Sequence, residues 1–302
     1  EPEEVKAAAR QAAALCAATP EVLATVASAD LVEISGIAAS WGQDGVLWAH
    51  NDSGDSARVF AMGTDGAHLG TYTLVGAQAT DWEDMAMGPG PQEGVQYLYL
   101  ADMGDNGAAR PEVVVYRVPE PPVSAGGTPT AAEVPDAEAL TLRYPDRAHD
   151  AETLLVDPVS GDIVIVTKEL VQPSLIFRAP GTIDGSAPAT LEQVGEIDFT
   201  ALDSQAVIPA EAPAIVRGAP FLPTGGDVSP AGDAVAIRTY GTVWVWDRPE
   251  GASLAEALAG VPCEAPSVIE PQGEALAFDS DGRGYITVSE GANPPLNHFV
   301  AQ

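Results

Sequence analysis

Short apolar stretches alternate with polar turns along almost the whole chain. The stretches are rich in Val, Ile, Tyr and Trp and are bounded by Gly, Pro, Asp or Asn, which is the pattern of β-strands. The clearest cover residues 46–50, 58–62, 97–101, 113–118, 163–167, 174–178, 234–239, 242–246 and 284–288. With 30 Gly and 26 Pro as turn residues, the pattern predicts an all-β chain folded as a sandwich, barrel or propeller.

Two segments depart from this pattern and predict helices. Residues 3–15 consist mainly of Ala, Glu, Gln, Lys and Arg, which are strong helix formers. Residues 254–259 follow Ser253, and Ser253 and Glu256 have the spacing of a capping box. We therefore expect a helical segment over 1–20 and a single β domain over 21–302.

A repeated unit distinguishes among the β architectures. In each copy a small or acidic residue opens an apolar strand, and a turn and a second strand with a polar tip follow. The copies open at Ser35, Glu83, Glu152, Thr224 and Glu274. Five such units predict a five-bladed β-propeller. The alternative is six blades, because the interval 201–223 could hold an insertion or a degenerate blade. Residues 21–28 would complete the last blade by pairing with the C-terminal end.

Net charge and cysteine content narrow the function. The chain has 44 Asp and Glu against 13 Lys and Arg, a formal charge of −31 that excludes a general phosphate-contact surface for nucleic acid. With 46% hydrophobic residues it is too apolar for a disordered acidic chain, and no apolar run is long enough to span a membrane.

Cys16 and Cys263 predict one disulfide if the protein is exported; two buried thiols are the alternative. Because residue 1 is Glu, we expect a removed signal segment and a secreted or extracytoplasmic location, at the cell surface or in the periplasm.

The five opening residues are candidate metal ligands. In a propeller the innermost strands begin at one end of the central channel, so Ser35, Glu83, Glu152, Thr224 and Glu274 would face one another. Converging carboxylates repel, and a hard cation such as calcium, which takes six to eight oxygen ligands, would neutralise them. Aligning blade four on its glycines nominates Asp227 in place of Thr224. The alternative is that each acid lies in a solvated turn.

A second set of polar residues ends the next strand of each blade. These residues should surround the same end of the central channel, which we call the channel mouth. From this set we nominate candidate catalytic residues: His50, Asp52, Asp102, Lys168 and Arg238. Lys168 and Arg238 could hold a phosphate or carboxylate beside the metal. His50, or His149, could act as general acid or base. The alternatives are salt bridges for the two cations and hydrogen-bonded structural roles for the histidines.

The ring order Ser, Glu, Glu, Thr, Glu resembles the calcium-dependent apyrases, secreted five-bladed propeller nucleotidases whose central calcium is held by Ser and Glu residues. This resemblance covers only the five ring positions. The stretches 48–55, 81–84 and 102–106 are similar to a large group of exported bacterial propeller proteins, mostly of unassigned activity. That second resemblance covers most of the chain and implies the fold more than a function.

Two functions follow as expectations. The first is a calcium-dependent hydrolase of phosphoesters or phosphoanhydrides, in which the cation and Lys168 or Arg238 neutralise phosphate. The second is a non-catalytic module with a structural calcium ion. In either case we expect a monomer whose channel mouth binds a phosphorylated or other anionic small molecule, or a protein partner.

Overall fold

A ring of five β-sheets makes up the body of the protein. The computed structural model describes residues 11–124 and 128–301, and their strands form three four-stranded and two five-stranded sheets. The innermost strand of each sheet contacts the innermost strands of the two neighbouring sheets, and the last sheet contacts the first. The predicted five-bladed β-propeller is therefore confirmed.

The blades follow the chain in order. Blade one consists of β2 (Ile34–Ala39), β3 (Val46–Asn51), β4 (Arg58–Gly63), β5 (His68–Leu74) and β9 (Thr130–Val134). Blade two consists of β6 (Trp82–Pro89), β7 (Gln96–Asp102), β8 (Val113–Pro119), β10 (Glu138–Arg143) and β14 (Ala189–Thr190). Blade three consists of β11 (Ala151–Val156), β12 (Ile163–Thr167), β13 (Ser174–Ala179) and β15 (Glu192–Ile197).

The last two blades have four strands each. Blade four consists of β16 (Pro223–Val228), β17 (Ala234–Thr239), β18 (Val243–Asp247) and β19 (Cys263–Ala265). Blade five consists of β20 (Gly273–Phe278), β21 (Gly284–Ser289), β22 (Pro295–Val300) and the N-terminal β1 (Thr19–Thr25). Three short helices lie outside the blades: α1 (11–15), α2 (Ala214–Gly218) and α3 (Leu254–Leu258).

Burial explains why the inner strands read as continuous apolar runs. The innermost strands β2, β11, β16 and β20 are buried at every residue, because a neighbouring blade packs against each face of the sheet and the free edge of the strand lies at the central channel. Outer strands such as β10 alternate between buried and exposed positions. The five largest apolar clusters lie between adjacent blades, so side chains such as Trp48 and Trp246 hold the ring together.

Both chain ends close the ring in blade five. Strand β1 pairs antiparallel with β22, as predicted for residues 21–28, although it begins at Thr19. The predicted disulfide between Cys16 and Cys263 is present, with 6.2 Å between the two Cα atoms, and it ties the end of α1 to β19. His298 on β22 bonds Glu21 through Nδ1 and Asp279 through Nε2, both at 2.9 Å. The closing strand is thus held by hydrogen bonds, an ion-pair cluster and a covalent bond.

The remaining segments refine the predictions. The described part of the interval between β15 and β16 holds α2 and no strand, so it is an insertion and not a sixth blade. Helix α3 has the predicted capping box between Ser253 and Glu256. Of the predicted helix over 3–15, residues 11–15 are helical and the rest lies outside the described residues. None of the helices in the described ranges is long and apolar enough to cross a membrane.

Candidate metal centre at the channel mouth

The five predicted ring residues all occupy the same irregularity of the innermost strand. In each blade the pairing between the first two strands shifts by one residue, and the ring residue lies inside that β-bulge. In blade four, for example, Pro223 pairs with Thr239 and Gly225 pairs with Arg238, so Thr224 has no partner. A bulge bends its strand and redirects the unpaired side chain. The repeated bulge therefore identifies Thr224, and not Asp227, as the fourth ring position.

The hydroxyl groups of two ring residues donate hydrogen bonds to neighbouring blades within the ring. Ser35 Oγ donates to Glu83 Oε2 at 3.4 Å, and Thr224 Oγ1 donates to the carbonyl of Gly273 at 3.0 Å. The three glutamates are each at most 4% exposed. Among the described residues, Glu152 Oε2 and Glu274 Oε2 are buried without a hydrogen-bond partner. Because buried carboxylate oxygens are costly to leave unpaired, these two atoms are candidate ligands for a cation.

A second tier of side chains lies over the ring. Asp52, Lys168, Tyr240 and Glu290 occupy equivalent positions, one residue past the end of the second strand of blades one, three, four and five. Lys168 Nζ forms a short ion pair with Glu152 Oε1 and a 3.1 Å hydrogen bond to Tyr240.

Further hydrogen bonds join the tier to Glu274. The Tyr240 hydroxyl donates to Glu274 Oε1 at 3.2 Å. Gln272 Nε2 donates to Glu274 Oε1 at 3.1 Å and to Glu290 Oε1 at 2.9 Å, which holds these two carboxylates together.

Carboxylates of the two tiers converge in two groups that could hold a metal. In each group one oxygen per residue lies within 4.8 Å of the others. The first group is Asp52, Glu274 and Glu290, and the second is Asp52, Asp81 and Glu83. We call these five acids, together with Glu152, Lys168 and Tyr240, the mouth cluster. Of the three ring glutamates nominated as ligands, Glu83 and Glu274 belong to these groups and Glu152 belongs to neither.

Burial and mutual repulsion perturb the mouth cluster. Burial, reinforced by the charges of Glu274 and Asp81, raises the pKa of Asp52 to about 6. Burial and the nearby Glu274 raise the pKa of Glu290 to about 9. Burial also raises the pKa of Glu83 well above its usual range, and the charge of Glu152 adds to it. Each shift reflects a carboxylate whose charge is poorly compensated.

Lys168 is the built-in counter-ion of the cluster. Burial alone would lower its pKa, but the carboxylate of Glu152 and the phenol of Tyr240 outweigh burial and raise it. Conversely, burial raises the pKa of Glu152, and Lys168 opposes that rise. One ammonium faces six carboxylates, so most of the negative charge is left uncompensated.

Three nominated catalytic residues belong to neither carboxylate group and are held by other contacts. His50 is fully buried, with its ring against Trp82 of blade two and its Nδ1 2.9 Å from the carbonyl of Asn51. Arg238 lies between blades four and five, where its guanidinium bonds Glu270 at 2.8 Å and the carbonyl of Ala275 at 3.0 Å.

Asp102 is also structural. Its carboxylate accepts hydrogen bonds from the backbone of Thr80 and Asp81 at 3.2 and 3.1 Å and pairs with Arg110 at 2.8 Å. The side chain thus holds the loop that leads into β6. His149 is likewise fully buried, with its ring nitrogens 2.7 Å from Glu169 and 3.1 Å from Asp146. Of the nominated catalytic set, Asp52 and Lys168 are at the mouth.

Two further buried acids, Asp84 and Asp227, accept backbone hydrogen bonds that link adjacent blades beside the ring. Asp84 accepts backbone hydrogen bonds from Met85 and Leu154 at 2.9 Å and from Gly226 at 3.1 Å, which joins blades two, three and four. Asp227 accepts from Val228 and Phe278 at 2.8 Å and joins blades four and five. Both carboxylates are engaged with backbone amides, so we assign them a structural role.

The comparisons with known proteins bear on the fold. No protein-family model matches the sequence, and no curated protein matches it at a significant level. Among solved structures, the chain is similar to a gluconolactonase from Xanthomonas campestris, with a TM-score of 0.50 and 13% identity over 97% of this chain and 93% of that one. This likeness supports the propeller architecture. The resemblance to the calcium-dependent apyrases stays a prediction.

Sequence reasoning missed Asp81. It placed Tyr240 and Glu290 in the second polar set around the mouth but nominated neither as a ligand or a catalytic residue. One signal favours nominating both: Lys168, Tyr240 and Glu290 follow Glu152, Thr224 and Glu274 at the same spacing. Asp81 has no such regularity, because it lies in the loop before β6. It reaches the ring through the fold of that loop.

Proposed function

We propose that the protein binds a divalent cation of the calcium class at its channel mouth and uses it for hydrolysis. The observation that carries this proposal is the pair of buried, unpartnered oxygens on Glu152 and Glu274, beside the group formed by Asp52, Glu274 and Glu290. The donors are all oxygens, which suits calcium, magnesium or manganese better than a thiophilic metal. Asp52, Glu274 and Glu290 would hold the ion.

When bound, such a cation polarises the carbonyl or phosphoryl group of an ester and makes water a stronger nucleophile. The chain's own residues would orient the substrate. Lys168 Nζ, whose side chain is 12% exposed, can donate a hydrogen bond to a substrate oxygen while it remains paired with Glu152. Tyr240 holds Lys168 on one side and Glu274 on the other, so it keeps the donor and the cation ligand in register.

The charge of the mouth favours an uncharged ester over a phosphoester. The phosphoester interpretation relied on Lys168 and Arg238 as anion anchors, but Arg238 is buried against Glu270. A phosphate dianion would therefore meet several carboxylates and one lysine that is already paired. A sugar lactone carries no such charge, and the structural neighbour is named as a gluconolactonase. We accordingly propose a carboxylic ester or lactone as the substrate class.

The disulfide supports an extracytoplasmic location for this activity, because disulfides persist in oxidising compartments. Such compartments are also commonly rich in calcium, in keeping with weak extracellular calcium sites in the millimolar range.

The test is hydrolysis by the purified chain with and without chelator. Glucono-lactone and a generic phosphomonoester serve as the two substrates, and calcium, magnesium and manganese are added back separately. We expect chelation and Glu274→Gln each to reduce lactone hydrolysis at least about ten-fold, in line with the loss of one electrostatic stabiliser. The matched control is Glu93→Gln, an exposed acid of a β6–β7 turn, which should leave the rate unchanged.

The outcomes separate the candidate functions. Chelator-sensitive turnover of the phosphomonoester alone would overturn the substrate class and restore the phosphoesterase interpretation. A melting temperature that rises with calcium, without turnover of either substrate, would identify a non-catalytic module with a structural ion. Turnover that is indifferent to chelator and to Glu274→Gln would refute the proposed site.

A further inference from the structure

The two carboxylate groups at the mouth share one residue. Asp52 belongs to both: the first group pairs it with Glu274 and Glu290, and the second pairs it with Asp81 and Glu83. In the described ranges the two groups do not merge into a single set of mutually close oxygens. Their shared residue is half-buried at the entrance, whereas Glu83 and Glu274 are each 3% exposed. Two sets of carboxylates, each compact enough to hold one cation, therefore share Asp52.

Each group contains a buried glutamate with one carboxylate oxygen that accepts no hydrogen bond within residues 11–124 and 128–301. In the first it is Glu274, whose Oε2 is itself buried. In the second it is Glu83, a residue 3% exposed, whose Oε2 accepts from Ser35 while Oε1 accepts from no described residue. Polar atoms of such buried side chains are normally satisfied, so each group separately indicates a ligand.

The second group is also shaped by an absent side chain. A Cβ at Gly104 would collide with Oε1 of Glu83 and with the carboxylate of Asp81. The glycine follows β7 and donates its backbone N–H to the carbonyl of Asp81 at 3.1 Å. Glycine at this position lets two carboxylates approach each other, which would be unfavourable without a cation between them.

Formal charge gives an independent argument. The mouth cluster has six carboxyl groups, on Asp52, Asp81, Glu83, Glu152, Glu274 and Glu290, and one ammonium, on Lys168, so its formal charge is −5 when all six are ionised, as they would be when they ligate a metal. One divalent cation leaves −3, and two leave −1. Because uncompensated charge in a partly buried site is costly, the second cation removes a large part of the repulsion that the first leaves.

We propose that the mouth holds two divalent cations with Asp52 as the shared ligand. Glu274 and Glu290 complete the first position, and Asp81 and Glu83 complete the second. This inference rests on the proposed function and specifies its metal stoichiometry. Paired-metal sites stabilise both the attacking and the leaving oxygen in hydrolysis, so the second cation has a chemical use at an ester-cleaving mouth.

The experiment is calcium titration of the full-length chain by calorimetry, with bound metal counted by elemental analysis after equilibrium dialysis. We expect two calcium ions per chain. Glu290→Gln and Asp81→Asn should each leave one, because each removes a ligand from a different position. Asp52→Asn should weaken both positions by at least about ten-fold. Glu93→Gln is the matched control and should keep two.

A second variant tests the second position without changing any charge. Gly104→Ala should reduce the count to one, because its Cβ would occupy space that Glu83 and Asp81 share. Circular dichroism on every variant excludes counts taken on unfolded protein. One calcium per wild-type chain would overturn the paired site and leave the proposed function intact. No bound calcium, magnesium or manganese would overturn both, and two ions in both Asp81→Asn and Glu290→Gln would contradict the ligand assignment.

Discussion

Removing the ammonium of Lys168 should destabilise the protein in the absence of divalent cations. In Lys168→Gln, Glu152 loses its ion-pair partner at a position where its side chain is 6% exposed, so its carboxyl group must either stay buried with an uncompensated charge or take up a proton. Breaking a buried ion pair by deleting one partner costs about 3–5 kcal/mol. Because the ion pair between Lys168 and Glu152 is almost fully buried, we expect its disruption to lower the free energy of unfolding by about 3 kcal/mol or more.

The assay is urea unfolding with and without calcium. Removing both charges in Lys168→Gln with Glu152→Gln should recover most of the loss, because no unpaired charge is left buried. Millimolar calcium should recover part of it in the single variant, since a cation replaces the lost charge. Arg143→Gln is the control: Arg143 and Glu112 form an exposed pair, which should contribute less than about 1 kcal/mol. The reasoning is refuted if the double variant is less stable than Lys168→Gln.

Two further predictions concern ring closure. Asp279 and Glu21 raise the pKa of His298 above its ordinary value of 6.5, so the His298 ion pairs contribute most stability below pH 6.5 and lose it as pH rises through the raised value. His298→Gln should therefore lower the melting temperature more at pH 5.5 than at pH 9; an equal loss at both would contradict the linkage. Replacing Cys16 and Cys263 by Ser opens a loop of 247 residues, for which the chain-entropy model gives a loss of about 5 kcal/mol. Urea unfolding measures that loss, and an unchanged midpoint would contradict it.

Much of the fold could be predicted from sequence because blade strands are local units. The predicted strands 163–167 and 234–239 match β12 and β17, and the others differ by a residue or two at their ends. The additions β9 and β14 could not be predicted, because each pairs in parallel with a strand of the preceding blade. That pairing depends on where the connecting segments cross the outside of the ring, which periodicity does not encode.

The sequence predicts the location of the candidate site at the channel mouth better than it predicts which residues form the site. The three ring glutamates were found because acids that open inner strands recur by blade. His50 and Arg238 differ from the rest of the second tier because they precede the strand end by one residue, and their side chains contact the neighbouring blade. Asp52 and Lys168, two residues further along than those positions, face the mouth. Choosing between them requires the register of the bulge, which only the folded blade supplies.

Because of the repeated bulge, the side chain at each ring position can change without altering the strand pairing of its blade. Because each ring residue is unpaired in its strand, a change of side chain there leaves the hydrogen-bond ladder of the blade as it was. Ser, Thr and Glu already occupy equivalent bulges in one chain. Mutation can therefore alter the ligand chemistry of the mouth one blade at a time while the propeller keeps its geometry, which makes this position a natural starting point for the evolution or redesign of new activities.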